Sequence, residues 1–305
     1  MLATAFYWIL NMSIMGSITG LLILCLRQIK AIPRNIVSAL WLIPLIRLFL
    51  PFSISSQYSL MALLSKLGAR TIPLGGQTSG LPFTAMNSIR AAESYNPLIF
   101  GNKGLASVFF IGSVVWIIVF LALLFTMILL YSFTKTEIKG AVKISKNVYE
   151  SDRITSPAVY GIIRPGILVP VGMPEQDLSY AVLHENAHIS RGDNFFRFAA
   201  LAAACFHWFN PLVWVFLKYC FADMELACDT KVMRKLNPEE RRQYASSLLH
   251  CLVPSRQNLF IAAFGGAKIK VRVENILSYR KLTAAACISF FVLAAAIGAA
   301  LLTNA

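Results

Sequence analysis

Five consecutive residues carry the clearest chemistry in the chain: His184-Glu185-Asn186-Ala187-His188. On an α-helix, positions i and i+4 share a face, so both imidazoles can meet one metal ion. Glu185 then stands about 100° around the helix from His184, beside the ion. There it can take a proton from a metal-activated water. Zinc suits this donor set and brings the pKa of a bound water to about 7. The chain has four histidines, and two of them stand in this spacing. A catalytic zinc takes three protein ligands and keeps one position open. Downstream, Met224-Glu225-Leu226-Ala227-Cys228-Asp229 again sets two acids four residues apart. Glu225 is the expected third ligand. Asp229 is expected to hold the other ring nitrogen of a ligating histidine and so fix its tautomer. His207, His250 and Cys228 are the rival ligands. A donor for a tetrahedral oxyanion is also needed, and Tyr244, His250 and Arg272 all qualify. Arg191 and Asp193 end the first helix or brace the site.

The elements that must position these residues are set in an unusually apolar chain. Of the 305 residues 57% are hydrophobic and 14% charged, and the mean hydropathy is +0.64. Soluble domains carry about 25% charged residues, so an ordinary water-soluble globule is excluded. Disorder is excluded by the same abundance of apolar groups. Spanning helices of about 20 apolar residues are expected at Ala5–Leu26, Ser107–Ser132 and Leu282–Leu302, with a fourth, shorter one at Ile36–Phe52 containing Arg47. Arg47 lies near the outer end, where snorkelling to the interface is expected. Of the 28 basic residues, 20 fall in residues 133–281 and three in residues 27–35. By the positive-inside rule both segments are cytoplasmic, and both termini lie outside. The net charge of +14 is therefore read as loop charge facing anionic lipid, with no direct nucleic-acid ligand. The six cysteines show no C-x-x-C pair and read as free thiols.

Residues 195–222 are strongly apolar, yet a single crossing there would carry Glu225 to the far side from His184. A shared metal forbids that. Asn210-Pro211 supplies the turn, since Asn caps a helix and Pro suits its first position. A helical hairpin dipping toward the bilayer is expected. Asp177 and Ser179 are the expected caps of the helix that carries His184. Tyr58–Leu67 reads as an interfacial helix of the outer loop. Gly140–Tyr149 and Val159–Val171 read as two or three strands. Prolines 165 and 170 suggest that the second of these segments is a sheet edge. Gly161, Ile162, Ile163, Gly166, Ile167, Leu168 and Val169 are thus the expected docking edge for an extended substrate peptide.

The chain resembles the BlaR/MecR-type integral-membrane zinc metalloproteases, bacterial antirepressors and β-lactam sensors. The resemblance rests on Leu40–Pro51, Ser156–Pro170, His184–His188 with Arg191 and Asp193, Phe209–Leu212, Glu225–Asp229 and Phe264–Val273. It implies a gluzincin-like cytoplasmic site with zinc on His184, His188 and Glu225, Glu185 as general base, and Asp229 supporting a ligand. It further implies cleavage of a DNA-bound repressor and of the protein itself. Sensors of the family continue into an extracellular penicillin-binding domain after the fourth helix, whereas this sequence ends at Ala305. β-Lactam binding is therefore not carried over, and both a fragment and a member sensing another signal stay open. Ser132-Phe-Thr-Lys135 has the spacing of such a sensor's nucleophile but lacks its partner motifs.

The expected architecture is a multi-pass α-helical membrane protein with four spans. Residues 1–132 form the membrane domain, residues 133–281 a cytoplasmic α+β zincin domain, and residues 282–305 the last span. The expected function is a zinc endopeptidase of the bacterial cell membrane, with one zinc per chain, acting in signal transduction. Its expected partners are the bilayer and a protein substrate such as a winged-helix repressor, with self-association left open. The alternatives are a housekeeping protease of the HtpX/Ste24 type and a non-catalytic transducer whose zinc is structural.

Overall fold

The computed structural model describes residues 2–29, 32–50, 54–55, 103–138, 140–162, 164–250, 269–279 and 284–304. The segment read as an interfacial helix, Tyr58–Leu67, lies outside these, as does Ile163. Helices α1 (Leu2–Arg27), α2 (Arg34–Leu40), α3 (Leu42–Phe49) and α4 (Lys103–Ile138) come first. A sheet of β2 (Val142–Lys143), β3 (Val148–Ser151), β4 (Ala158–Tyr160) and β5 (Gly166–Pro170) follows; β1 (Ile54–Ser55) precedes α4. Then come α5 (Glu175–Arg191), α6 (Asp193–Phe206), α7 (Pro211–Met233), α8 (Pro238–His250), α9 (Ile269–Leu277), α10 (Ala284–Leu302) and β6 (Thr303–Asn304).

Among the described residues, two helical stretches are long and apolar enough to cross a membrane: Ala5–Arg27 in α1 and Ser107–Phe133 in α4. Apolar side chains of α4, including Phe110, Ile118 and Phe125, are exposed on its outer face. The segment expected as one short span is instead two helices, α2 and α3, broken at Trp41. Pro44 explains the break, because it has no N–H for the Leu40 carbonyl and its ring crowds that carbonyl. Arg47 does not snorkel. It is 3% exposed, and its Nε donates to the Leu301 carbonyl at 2.9 Å. That carbonyl belongs to the last turn of α10, which has no helical donor and carries partial negative charge. Beside this contact, β1 pairs in parallel with β6, which directly follows α10.

The turn at Asn210 forms. Its Oδ1 accepts from the Leu212 N–H at 2.9 Å, and Pro211 opens α7. Its Nδ2 donates to the hydroxyls of Ser13 and Ser17, each at 2.7 Å, so the hairpin tip meets α1 midway along its apolar stretch. The arms pack closely because α6 offers small side chains: Ala200, Ala203 and Ala204 are buried against Val213, Leu217 and Phe221 of α7. Gly20 of α1 lies against the Phe216 ring, where any Cβ would overlap the ring.

The sheet has the order β2-β3-β5-β4, with β3 and β5 parallel and the other pairs antiparallel. Four strands form where two or three were expected. Val148, Ile167 and Val169 bury against Leu178, Val182 and Ile189 of α5, which seats the helix bearing the histidines. The docking-edge expectation is corrected here. Gly166, Ile167, Leu168 and Val169 belong to β5, which has a neighbour on both sides, so its ladder groups are already used. Gly161 and Ile162 lie in the turn before it. The prolines misled because Pro165 sits in that turn and Pro170 ends the strand, beyond the reach of β4. The free edge on this side is β4. Ile167 N–H donates toward β3, so its partner Val159 turns its backbone outward.

Replacing Asn210 by Ala removes a cap, about 1 kcal/mol, and two hydrogen bonds of about 0.5–1.5 kcal/mol each. Thermal unfolding of purified protein should show a loss of about 2–4 kcal/mol. Asn210→Ser keeps a capping oxygen and should recover about 1 kcal/mol. Equal losses in the two variants would rule out the cap.

Candidate metal centre

His184 and His188 project from α5 with their Nε2 atoms 3.1 Å apart. Glu225 reaches them from α7. Its Oε2 is 3.5 Å from His184 Nε2, and its Oε1 is 3.5 Å from His188 Nε2. These three donor atoms lie within 4.8 Å of one another, and both histidines are buried. Two imidazole nitrogens and one carboxylate oxygen, converging in this way, fit the three-ligand set of a catalytic zinc. Glu185 follows His184 on α5, is half-buried, and has no side-chain hydrogen bond among the described residues.

The opposite nitrogens of both rings are held. His188 Nδ1 bonds Asp193 Oδ2 at 2.7 Å, and Cys228 Sγ lies 3.0 Å from that carboxylate and 3.1 Å from the ring nitrogen. Asp193 reaches this place because Gly192, at φ +71°, ends α5 in the left-handed conformation and lets α6 start at once. His184 Nδ1 lies 2.8 Å from the Tyr244 hydroxyl and 3.3 Å from Asp229 Oδ1. Tyr244 donates its one proton to Asp229 at 2.7 Å, so it accepts from His184 Nδ1. With Nδ1–H held in this way, the Nε2 lone pair becomes available to a metal once that nitrogen loses its proton. Arg272 grips Asp229 with two bonds of 2.8 Å and stands 3.3 Å from Glu225 Oε2. Arg197 donates to Glu225 Oε1.

Burial pushes the Glu225 carboxyl up, but His188, His184, Arg272 and Arg197 outweigh it and hold the group well below the usual carboxylate range. Burial also opposes ionisation of Asp229, yet Arg272 and His184 bring it down to about 2. For His184, burial and Arg272 both favour the neutral ring; hydrogen bonds to Asp229 and Glu225 win, and the metal-free ring stands at about 9.

The structure therefore brings His184, His188, Glu225 and Asp229 together, with Glu225 and Asp229 on one face of α7. The rivals stand elsewhere. His207 Nε2 bonds the Leu48 carbonyl at the hairpin tip. His250 lies on the outside of α8, its Nδ1 3.4 Å from Asp177. Cys228 touches the back of His188 rather than Nε2. Asp177 lies in the first turn of α5 and does not cap it, because the helix starts earlier, after Pro174. Sequence reasoning missed Tyr244 as the link between His184 and Asp229, and Arg197 as a partner of Glu225. It left Asp193 undecided, although Gly192-Asp193 directly after the second histidine was the available signal.

Two outcomes are expected of the purified protein. Zinc must displace the His184 proton, so apparent zinc affinity should rise about tenfold per pH unit from neutrality toward pH 9 and then level. The sign for the metal-free fold is opposite: a raised histidine pKa stabilises fully below pH 6.5, and that contribution fades as pH climbs toward about 9. A pH-independent affinity, read by competition with a chromogenic chelator, would exclude this proton. In the same assay Asp193→Ala should weaken zinc about 10–100-fold, and Glu225→Ala should weaken it further. Wild-type affinity in Glu225→Ala would remove Glu225 from the ligand set.

Comparison with known proteins agrees with this arrangement. The chain is 28% identical to the methicillin resistance mecR1 protein of Staphylococcus aureus over 139 residues, 42% of this chain and 24% of the relative. It is 29% identical to the regulatory protein BlaR1 of Bacillus licheniformis over 159 residues, 50% of this chain and 26% of the relative. To the regulatory protein BlaR1 of Staphylococcus aureus it is 24% identical over 194 residues, 54% and 33%. The matches thus span a quarter to a third of the length of these relatives. The family model described as BlaR1 peptidase M56 matches residues 7–276, from the first helix through the metal centre to α9, and the chain belongs to that family of membrane metallopeptidases.

Proposed function

We propose that the chain is a zinc endopeptidase that cleaves a cytosolic transcriptional repressor, itself, or both, to transmit a signal across the bacterial membrane. The observation that carries this is the convergence of His184 Nε2, His188 Nε2 and a Glu225 oxygen beside Glu185, which has no side-chain partner among the described residues. A structural zinc is enclosed by four ligands and has no use for a free carboxylate beside it.

In this reading four segments cross the membrane: α1, the broken pair α2–α3, α4 and α10. The domain of residues 133–281 faces the cytoplasm and both termini face outward, as the basic loops favour. The pairing of β1 with β6 supports a common side for the ends of α3 and α10.

Bound zinc supplies Lewis-acid activation of water and of the scissile carbonyl. The chain supplies the rest. His184, His188 and Glu225 would hold the ion, and Asp229, Tyr244 and Asp193 would keep the two rings in their metal-binding tautomers. Glu185 takes the proton of the attacking water and returns it to the leaving amine. Arg272 is the oxyanion candidate nearest the ligand atoms, with Nη2 3.3 Å from His184 Nε2. Tyr244 is committed to Asp229, and His250 is remote. An extended substrate would pair along β4 by displacing Asn194, whose Nδ2 donates to the carbonyls of Val159 in the strand and of Gly161 just after it, at 3.3 and 2.9 Å.

Glu185→Gln should keep zinc and fold while cleavage of a candidate repressor, and self-cleavage, fall by about 10²–10⁴-fold. Zinc stoichiometry and single-turnover cleavage on the same sample test this. Cleavage at the wild-type rate by Glu185→Gln would end the protease reading.

A further inference from the structure

The ring of His188 lies between two residues of α7. Glu225 Oε1 is 3.5 Å from its Nε2, and Cys228 Sγ is 3.1 Å from its Nδ1. Positions i and i+3 share a helix face and differ by about 4.5 Å in rise, so one turn of α7 reaches both edges of the imidazole. Cys228 is fully buried and packs with Ala187 and Val232, which on its own would make it a small core residue. Its thiol does more than fill space. Sγ lies 3.0 Å from Asp193 Oδ2, the same oxygen that His188 Nδ1 meets at 2.7 Å. A carboxylate oxygen only accepts, so the proton between sulfur and oxygen is the thiol's. Thr230, two residues on in the same helix, shows the usual fate of a short donor: its hydroxyl is spent on the Leu226 carbonyl four residues back, at 2.8 Å. The Cys228 thiol reaches across to α6 instead. Asp193 is thus held from two helices, by Arg191 Nε of α5 at 3.2 Å and by Cys228 of α7.

We propose that Cys228 is a positioning residue of the metal centre: its S–H fixes the Asp193 carboxylate, which in turn fixes the His188 ring with Nε2 toward Glu225 and the metal. The inference rests on the three-ligand reading of the centre and is independent of what the protein cleaves. In this arrangement α7 contributes twice to one ligand set, with Glu225 as a ligand and with Cys228, through Asp193, as the residue that steadies the facing histidine.

Zinc and cobalt(II) affinities of the purified full chain, read by competition with a chromogenic chelator, test this. Cys228→Ala should weaken zinc about tenfold, the lower end of what the partners of a ligating histidine supply. Cys228→Val keeps the space filled without the donor and should lose as much; it serves if the alanine variant does not fold. In an Asp193→Ala background the same replacements should change affinity less than about twofold, because the thiol has nothing left to hold. The visible bands of the cobalt form should shift alike in Cys228→Ala and Cys228→Val, as the ring turns. Wild-type affinity in both single variants, or losses that multiply with that of Asp193→Ala, would overturn the proposal and leave Cys228 a core residue. A sulfur-to-cobalt charge-transfer band that disappears in Cys228→Ala would overturn it the other way, making Cys228 a ligand. A wild-type chain that holds no zinc would remove the metal-centre reading itself, and this proposal with it.

Discussion

A carboxylate taken out of water must meet a positive partner or lose its charge. Among the described residues three acids are buried, Asp193, Asp223 and Asp229, and Glu225 is nearly so; each meets an arginine, and for Asp223, Glu225 and Asp229 that arginine comes from a different helix. Asp223 and Asp229 of α7 are fully buried. Arg27 of α1 holds Asp223 at 2.9 Å, and Arg272 of α9 holds Asp229. Arg197 of α6 and Arg272 share Glu225, and Arg191 at the end of α5 holds Asp193. Removing one member of such a pair leaves an uncompensated buried charge, which costs about 3–5 kcal/mol. The position of α7 among α1, α5, α6 and α9 is therefore fixed by charge as well as by packing, and the two candidate ligand elements meet in one register.

The same pairing ties the candidate metal centre to α1, α2 and the α2–α3 break. Asp223 stands two residues before Glu225 and accepts from Arg27 of α1 and from the Trp41 indole at the α2–α3 break. On the other side, Ser38 of α2 accepts from Arg191, Arg191 binds Asp193, and Asp193 orients His188. A shift of the α2–α3 break relative to α1 would be felt at two of the three candidate ligands through three or fewer contacts.

The hairpin of α6 and α7 shows how an apolar setting treats a turn. Where water is scarce, every exposed backbone group needs an internal partner. Trp116 Nε1 donates to the Phe206 carbonyl, Trp214 Nε1 to the Trp208 carbonyl, and Asn210 caps α7 while reaching two serines of α1. Several polar side chains at the tip thus serve the backbone, and His207, which had the right chemistry for a metal, has its Nε2 on the Leu48 carbonyl.

Much of the centre was readable in the sequence because helix periodicity is local. The four-residue spacings of His184 with His188 and of Glu225 with Asp229 set each pair on one helix face, and Asn210-Pro211 marked the turn between them. The apolar stretches of α1 and α4 were equally plain, since spanning length is a property of a single segment. What escaped depends on residues far apart in the chain. Tyr244 meets His184 across 60 residues, Arg272 meets Asp229 across 43, and Arg27 meets Asp223 across 196. The central place of β5 depends on β4 folding back beside it, and local proline statistics pointed the other way. Arg47 is buried because the end of α10 happens to arrive at its side. The sequence by itself determined which residues could share a face and where the chain must turn. Only the tertiary structure decided which arginine neutralises which acid, because that choice is made by whole helices meeting and not by any spacing along one of them.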